Sequence, residues 1–142
     1  MTTEPWKKFT DICNGAGLKA TSQRFEIYSE LLNRHDHPSA ADIHRTLCER
    51  IPPLTLDTVY RTLNTLESIG AVRRVEAYDD KARFDGNLAP HHHFVCTSCK
   101  TIIDFTWESL DLLEIPQKIQ EVGQVRSRSM TLRGLCRSCS GE

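Results

Sequence analysis

At 142 residues the chain is long enough for one domain with a real core or for two small ones. Apolar residues make up 39% and charged residues 26%, with a net charge of −1, so bulk charge does not advertise a nucleic-acid binder. No apolar run approaches the roughly 20 residues that span a membrane, and no signal-peptide core follows Met1–Lys8, so a cytoplasmic chain is expected.

The first half reads as short helices. Trp6, Phe9, Ile12 and Cys13 recur at helical spacing until Gly15 and Gly17 stop the pattern. Thr21 is a natural N-cap for a helix with Phe25, Tyr28, Leu31 and Leu32 on one face, which His35-Asp-His-Pro38 breaks. Ser39 opens a third helix with Asp42 in capping-box position and Ile43 and Leu47 inward, and Pro52-Pro53 end it. Over Thr55–Gly70, Val59, Leu63, Leu66 and Ile69 form a buried stripe, with Gly70 as C-cap. Thr58, Arg61 and Thr65 point away from that stripe, flanked by Tyr60 and Asn64. Two extended segments follow, Val72–Tyr78 and Ala82–Asp85, joined by an Asp79-Asp80-Lys81 turn. Three helices and a small hairpin fit a winged helix-turn-helix whose fourth segment, after Pro53, enters the DNA major groove. A helical bundle whose polar face meets only water is the other reading.

Asn87–Pro90 reads as a hinge. Beyond it, His93–Cys96 and Ile102–Phe105 read as strands around a Cys-x-x-Cys turn. Leu110, Leu113, Ile115, Ile119 and Val122 suggest a helix interrupted by Pro116, and Gln124–Leu135 is extended and runs into Cys136. The expected division is residues 1–85 as a DNA-binding domain, 86–91 as hinge and 92–142 as a dimerisation and metal-binding domain, an α+β chain overall.

Two of the six cysteines, Cys13 and Cys48, sit alone in helical patterns and count as small apolar residues. The other four form two Cys-x-x-Cys pairs, Cys96/Cys99 and Cys136/Cys139. Each pair places a Cys at the end of a strand and its mate one tight turn later, so two sulfurs approach one cation from one side. Two such turns complete a closed tetrahedral zinc site of structural type. Disulfides or a thioredoxin-like dithiol are the other uses, and a reducing compartment favours the metal. A zinc deaminase is excluded, because its His-x-Glu and Pro-Cys signatures are absent.

A second donor set is harder. In a strand, alternate side chains share a face, so His91 and His93 point together and His92 points away. Asp85, Asp104 and the remote His37 would complete three imidazoles and two carboxylates, a mixture that suits Fe(II) or Mn(II). His35 and His44 compete with His37 and are expected to be solvated.

Taken together, Thr21-Ser-Gln-Arg24, His37-Pro-Ser-Ala-Ala-Asp-Ile43, Asp57-Thr-Val-Tyr-Arg-Thr-Leu63, Arg83-Phe-Asp85, His91-His-His-Phe-Val-Cys96-Thr-Ser-Cys99 and Cys136-Arg-Ser-Cys139 resemble the ferric-uptake-regulator family of metal-dependent repressors over nearly the whole chain. The resemblance implies a homodimer with an N-terminal winged-helix domain and a C-terminal dimerisation domain holding a structural zinc. It is strongest to the peroxide-sensing branch, whose regulatory ligands match His37, Asp85, His91, His93 and Asp104, with His37 or His91 as the oxidation-sensitive ring. A further metal site of many iron-sensing relatives is missing, since Pro90 and Arg128 stand where those have His.

The same resemblance implies a repressor, not an enzyme, with no membrane or small organic substrate among its partners. It would bind a pseudo-palindromic double-stranded operator through Tyr60 and Arg61 at base edges. Arg24, Thr58 and Asn64 would lie on the same surface, and Arg73, Arg74, Lys81 and Arg83 along the phosphate backbone. Peroxide reacting at bound iron would oxidise a ligand and release the operator. The alternative within the family is an iron-availability repressor, the branch in which Arg61 is typical. Outside it stand a thiol-redox protein and a zinc-ribbon interaction module.

Overall fold

The computed structural model describes residues 3–75 and 81–141. It divides into two compact units, Met1–Leu88 and Ala89–Glu142. None of the described helices is long and apolar enough to cross a membrane.

The first unit is a winged helix-turn-helix built on four helices: α1 (Thr3–Gly15), α2 (Ser22–Leu32), α3 (Ala40–Leu47) and α4 (Leu56–Ser68). Local chemistry explains where they start. The Thr21 hydroxyl accepts the Arg24 N–H at the head of α2, and Thr55 accepts the Thr58 N–H at the head of α4. Ser39 and Asp42 form a reciprocal capping box on α3. Gly70, at φ +80°, takes the left-handed turn after α4 that an L side chain resists.

Phe9, Ile27, Ile43, Leu47, Val59, Leu63, Leu66 and Phe84 bury completely in one core. Cys13 lies among them, its thiol pushed up by burial, as a small apolar residue. The inward face of α2 differs from the expected one. Ile27 fills the core, while Leu32, on the last residue of the helix, stays 40% exposed and overlies Gly86, where an added Cβ would stand 2.5 Å from Leu32 Cδ2.

The wing is an antiparallel pair, β1 (Arg73–Val75) and β2 (Arg83–Asp85), with Arg73 opposite Asp85. The expected Asp79-Asp80-Lys81 turn and the end of the first strand at Glu76–Tyr78 lie outside the described residues, apart from Lys81. On its other side β2 meets the start of α3: Ser39 bridges Arg83, and the Phe84 N–H donates to the Pro38 carbonyl at 3.0 Å.

The second unit is a three-stranded sheet ordered β4-β3-β5, from β3 (His92–Cys96), β4 (Ile102–Phe105) and β5 (Thr131–Gly134). β4 runs antiparallel to β3, and β5 parallel to it. The single interrupted helix expected over Leu110–Val122 is two short ones, α5 (Glu108–Asp111) and α6 (Gln117–Val122). Pro116 has no N–H to continue a helix, and it becomes the N-cap of α6. A last short helix, α7 (Arg137–Ser140), follows β5. Leu112, Leu113, Ile119, Val122, Leu132 and Leu135 all remain exposed, Leu112 and Val122 by 75% and 77%.

Candidate metal centres and nucleic-acid interface

Parallel pairing of β3 with β5 sets Cys96 opposite Gly134, so the two strands end side by side and each runs into its own Cys-x-x-Cys turn. Cys96 closes β3, Cys99 lies in the turn before β4, Cys136 caps α7 and Cys139 sits within it. Lys100 takes φ +66° to close the first turn, and its N–H donates to the Cys96 carbonyl at 3.0 Å. The four Sγ atoms all lie within 4.8 Å of one another, and those of Cys99 and Cys136 are 3.8 Å apart. A tetrahedron of metal–sulfur bonds near ~2.3 Å has edges of about 3.8 Å, so the donors fit zinc.

The electrostatics of the cluster agree. The Cys136 and Cys99 N–H groups both donate to Cys96 Sγ and pull its pKa down to about 6. Cys139 sits at about 11: the Ser98 hydroxyl lowers it, but the sulfurs of Cys136, Cys96 and Cys99 together push it higher. Four thiolates this close repel one another, and a divalent cation removes that repulsion.

The nitrogen and oxygen donors fall in both units. In the first, the pairing of β2 with Pro38–Ser39 brings the remote loop to the strand that carries Asp85. His37 Nε2 and Asp85 Oδ2 are then 3.5 Å apart. Asp85 Oδ1 accepts the Asn87 N–H at 2.9 Å, which turns Oδ2 toward the histidine. In the second, the register of β3 on β4 sets His93 opposite Asp104, with His93 Nε2 3.2 Å from Asp104 Oδ1. His91 lies beside His93, ring centroids 4.7 Å apart. Its Nδ1–H donates to the Ala89 carbonyl at 2.7 Å, so Nε2 is the ring nitrogen that carries a lone pair. Neighbouring donors in an octahedral shell with bonds near ~2.1 Å stand roughly 3 Å apart, so both pairs suit a hard divalent ion. The competing histidines lie elsewhere: His44 Nε2 is 2.9 Å from the Leu54 carbonyl, and His35 is exposed.

His92, between two candidate ligands, does point away from them, into a network that sequence reasoning missed. It is fully buried, and its Nδ1 accepts the Met130 N–H at 3.0 Å. Nε2 must therefore carry the proton, and it donates to Asp111 Oδ1 at 2.8 Å. Arg128 donates to the carbonyls of Leu110 and Leu113, at 3.0 and 2.7 Å. Hydrogen bonds thus tie α5 to the sheet. The only advance signal was the triple-histidine run itself.

On the first unit an open groove is lined by Lys19, Thr21, Gln23, Arg24, Thr58, Arg61, Thr62 and Thr65, between the head of α2 and the outward face of α4. Arg24 is anchored there on the Lys19 carbonyl. Lys19 and Gln23 were not anticipated, although both lie within two residues of the Thr21 cap. Tyr60 and Arg61 are exposed, Arg61 in an i,i+4 ion pair with Asp57 at 2.9 Å. Lys81 shares a second groove with Tyr60 and Asp57. The wing arginines are engaged within the unit: Arg73 donates to the Leu88 carbonyl, and Arg74 binds Glu67 and the Asn64 amide oxygen. Arg83 donates to the carbonyls of Asp36 and His37.

Comparison with known proteins identifies the family. The family model described as "Ferric uptake regulator family" matches residues 15–133. The peroxide-responsive repressor PerR of Staphylococcus epidermidis is 34% identical over 129 residues, covering 89% of this chain and 85% of that protein. Among solved structures, the Helicobacter pylori ferric uptake regulator Fur superposes with a TM-score of 0.78 over 99% of this chain and 94% of that one, at 23% identity, a likeness of fold. PerR from Streptococcus pyogenes superposes with a TM-score of 0.55 at 26% identity, over 95% and 92%. The chain belongs to the ferric uptake regulator family and is a metal-responsive transcriptional repressor, not an enzyme.

Proposed function

We propose that this chain is a peroxide-sensing repressor in which His37 and Asp85 of the first unit and His91, His93 and Asp104 of the second hold one regulatory cation. The observation that carries the reading is the donor chemistry: three imidazoles and two carboxylates, kept apart from the thiolates and matched to a hard, exchangeable ion. The 34% identity to a protein named as a peroxide-responsive repressor supports the same branch.

Five side chains drawn from two units favour DNA binding only to the extent that they are satisfied together in the DNA-binding arrangement. In a homodimer that arrangement sets two α4 helices in successive major grooves, about 34 Å apart on a pseudo-palindromic operator. The exposed apolar residues of the second unit, Leu112, Val122, Leu132 and Leu135 among them, are the surface that a second copy would cover. Tyr60 and Arg61 read base edges, while Arg24, Thr58 and Lys81 meet phosphates.

Ferrous iron held by these ligands would supply redox catalysis of peroxide cleavage with no net electrons of its own, the histidine ring being the two-electron reductant, whereas manganese would only gather the five side chains. His37 or His91 then takes one oxygen atom from peroxide on its ring, and the other leaves as water. The oxidised ring donates its lone pair poorly, the two half-sites lose their common partner, and the operator is released.

The test is operator affinity of Fe(II)- and Mn(II)-loaded protein before and after peroxide, with peptide mapping. The expected result is release of DNA by the iron form alone, with one added oxygen on His37 or His91. An iron form that keeps its DNA and unmodified histidines after peroxide points instead to an iron-availability repressor.

A further inference from the structure

Arg83 stands two residues before Asp85 on β2, yet its guanidinium reaches back to the loop that carries His37. Its Nε donates to the His37 carbonyl, and its Nη2 donates to the Asp36 carbonyl at 3.0 Å. That loop is in an uncommon conformation, because His37 sits at φ +52°, a left-handed region few non-glycine residues occupy. Such a backbone persists only where its surroundings fix it. Arg34 contributes by gripping Asp36 through two hydrogen bonds of 2.9 and 2.7 Å, which also lower the Asp36 pKa. The Phe84 N–H holds the Pro38 carbonyl from the other side. Arg83 alone among these donors bonds the carbonyl of His37 itself and that of the residue before it.

From this we infer that Arg83 is a positioning residue for the regulatory cation and not a phosphate contact. Through one strand, β2 supplies Asp85 as a ligand and fixes the backbone from which His37 Nε2 faces Asp85 at 3.5 Å. The inference rests on the proposed reading of His37 and Asp85 as ligands. Lysine cannot do the same work: an ammonium is a point charge, while the guanidinium is a planar fork whose donors match two adjacent carbonyls. A phosphate contact, by contrast, needs only the charge.

That difference defines the experiment. Zinc-loaded full-length dimer is titrated with Mn(II), free ion being read by electron paramagnetic resonance, for wild type, Arg83→Lys and Arg83→Met. Both variants are expected to lose about 10- to 100-fold in Mn(II) affinity, as removal of a residue that orients a ligand does. At saturating Mn(II) both are expected to bind operator as wild type does, with an unchanged salt slope, which also shows that they are folded. Wild-type Mn(II) affinity in Arg83→Lys overturns the inference. So does an Arg83→Met variant whose operator affinity falls at saturating Mn(II) with a salt slope smaller by about 1, the mark of a lost phosphate contact. Should Arg83→Met lose its helical circular dichroism, Arg83→Lys alone decides. His37→Ala, run beside them, separates the premise: if it keeps Mn(II) affinity, the ligand assignment fails whatever Arg83 does.

Discussion

In the first unit, Phe9, Ile27, Ile43, Leu63 and Phe84 bury completely against one another. In the second, the buried residues among those described are Val95, Cys96, Ile102, His91 and His92. The winged helix is thus held by apolar area. The sheet unit buries Val95 but leaves Leu112, Leu113, Val122, Val125, Leu132 and Leu135 in solvent, and it gathers four sulfurs instead. Small units that cannot fill a core need a staple, a metal or a second copy, and this one has the residues for a metal and for a second copy. The two units should therefore fail under different insults.

Removing the zinc, by strong chelation or by Cys96→Ser, should have the largest effect. Structural zinc contributes on the order of 10 kcal/mol in small domains, so the second unit should lose its sheet and the dimer should dissociate. Circular dichroism should retain the first unit's helical signal while the sedimentation mass halves. A dimer that survives metal removal breaks the contrast.

The reciprocal insult is a hole in the first core. Phe84→Ala should cost about 3–5 kcal/mol in denaturant unfolding of that unit, with zinc content unchanged.

How far the sequence foretold these units follows the range of the interactions. The caps at Thr21 and Ser39 and the turn at Gly70 were legible because each is satisfied within three or four residues. The two Cys-x-x-Cys turns were legible for the same reason. The segment at 110–122, expected as one helix interrupted by Pro116, is two short helices with exposed apolar residues, because apolar spacing does not say whether its partner is this chain or another copy. Least legible were the long-range partners of Arg83: only tertiary pairing of β2 with Pro38–Ser39 sends it to two carbonyls 46 and 47 residues away.

Smaller changes sharpen the comparison within each unit. Arg61→Ala should lose about 1–3 kcal/mol of operator affinity by removing a base contact, with Mn(II) affinity unaltered in the same titration. In the second unit, Asp111→Ala strands the buried His92 N–H and should destabilise that unit by about 1–3 kcal/mol. Asp111→Asn keeps an acceptor oxygen and should recover most of that loss in thermal unfolding. Asp57→Asn, which breaks the exposed pair with Arg61, should change stability by less than about 1 kcal/mol.

The central claim is that donors from both units serve one ion. A double-mutant cycle on Asp85→Ala and Asp104→Ala, read as Mn(II) affinity of the zinc-loaded dimer, tests it most directly. Residues that share a ligand shell are non-additive, so each single change should abolish tight binding and the double should lose little more than either alone. Two independent losses that add, or a single variant that still binds Mn(II) like wild type, would contradict it.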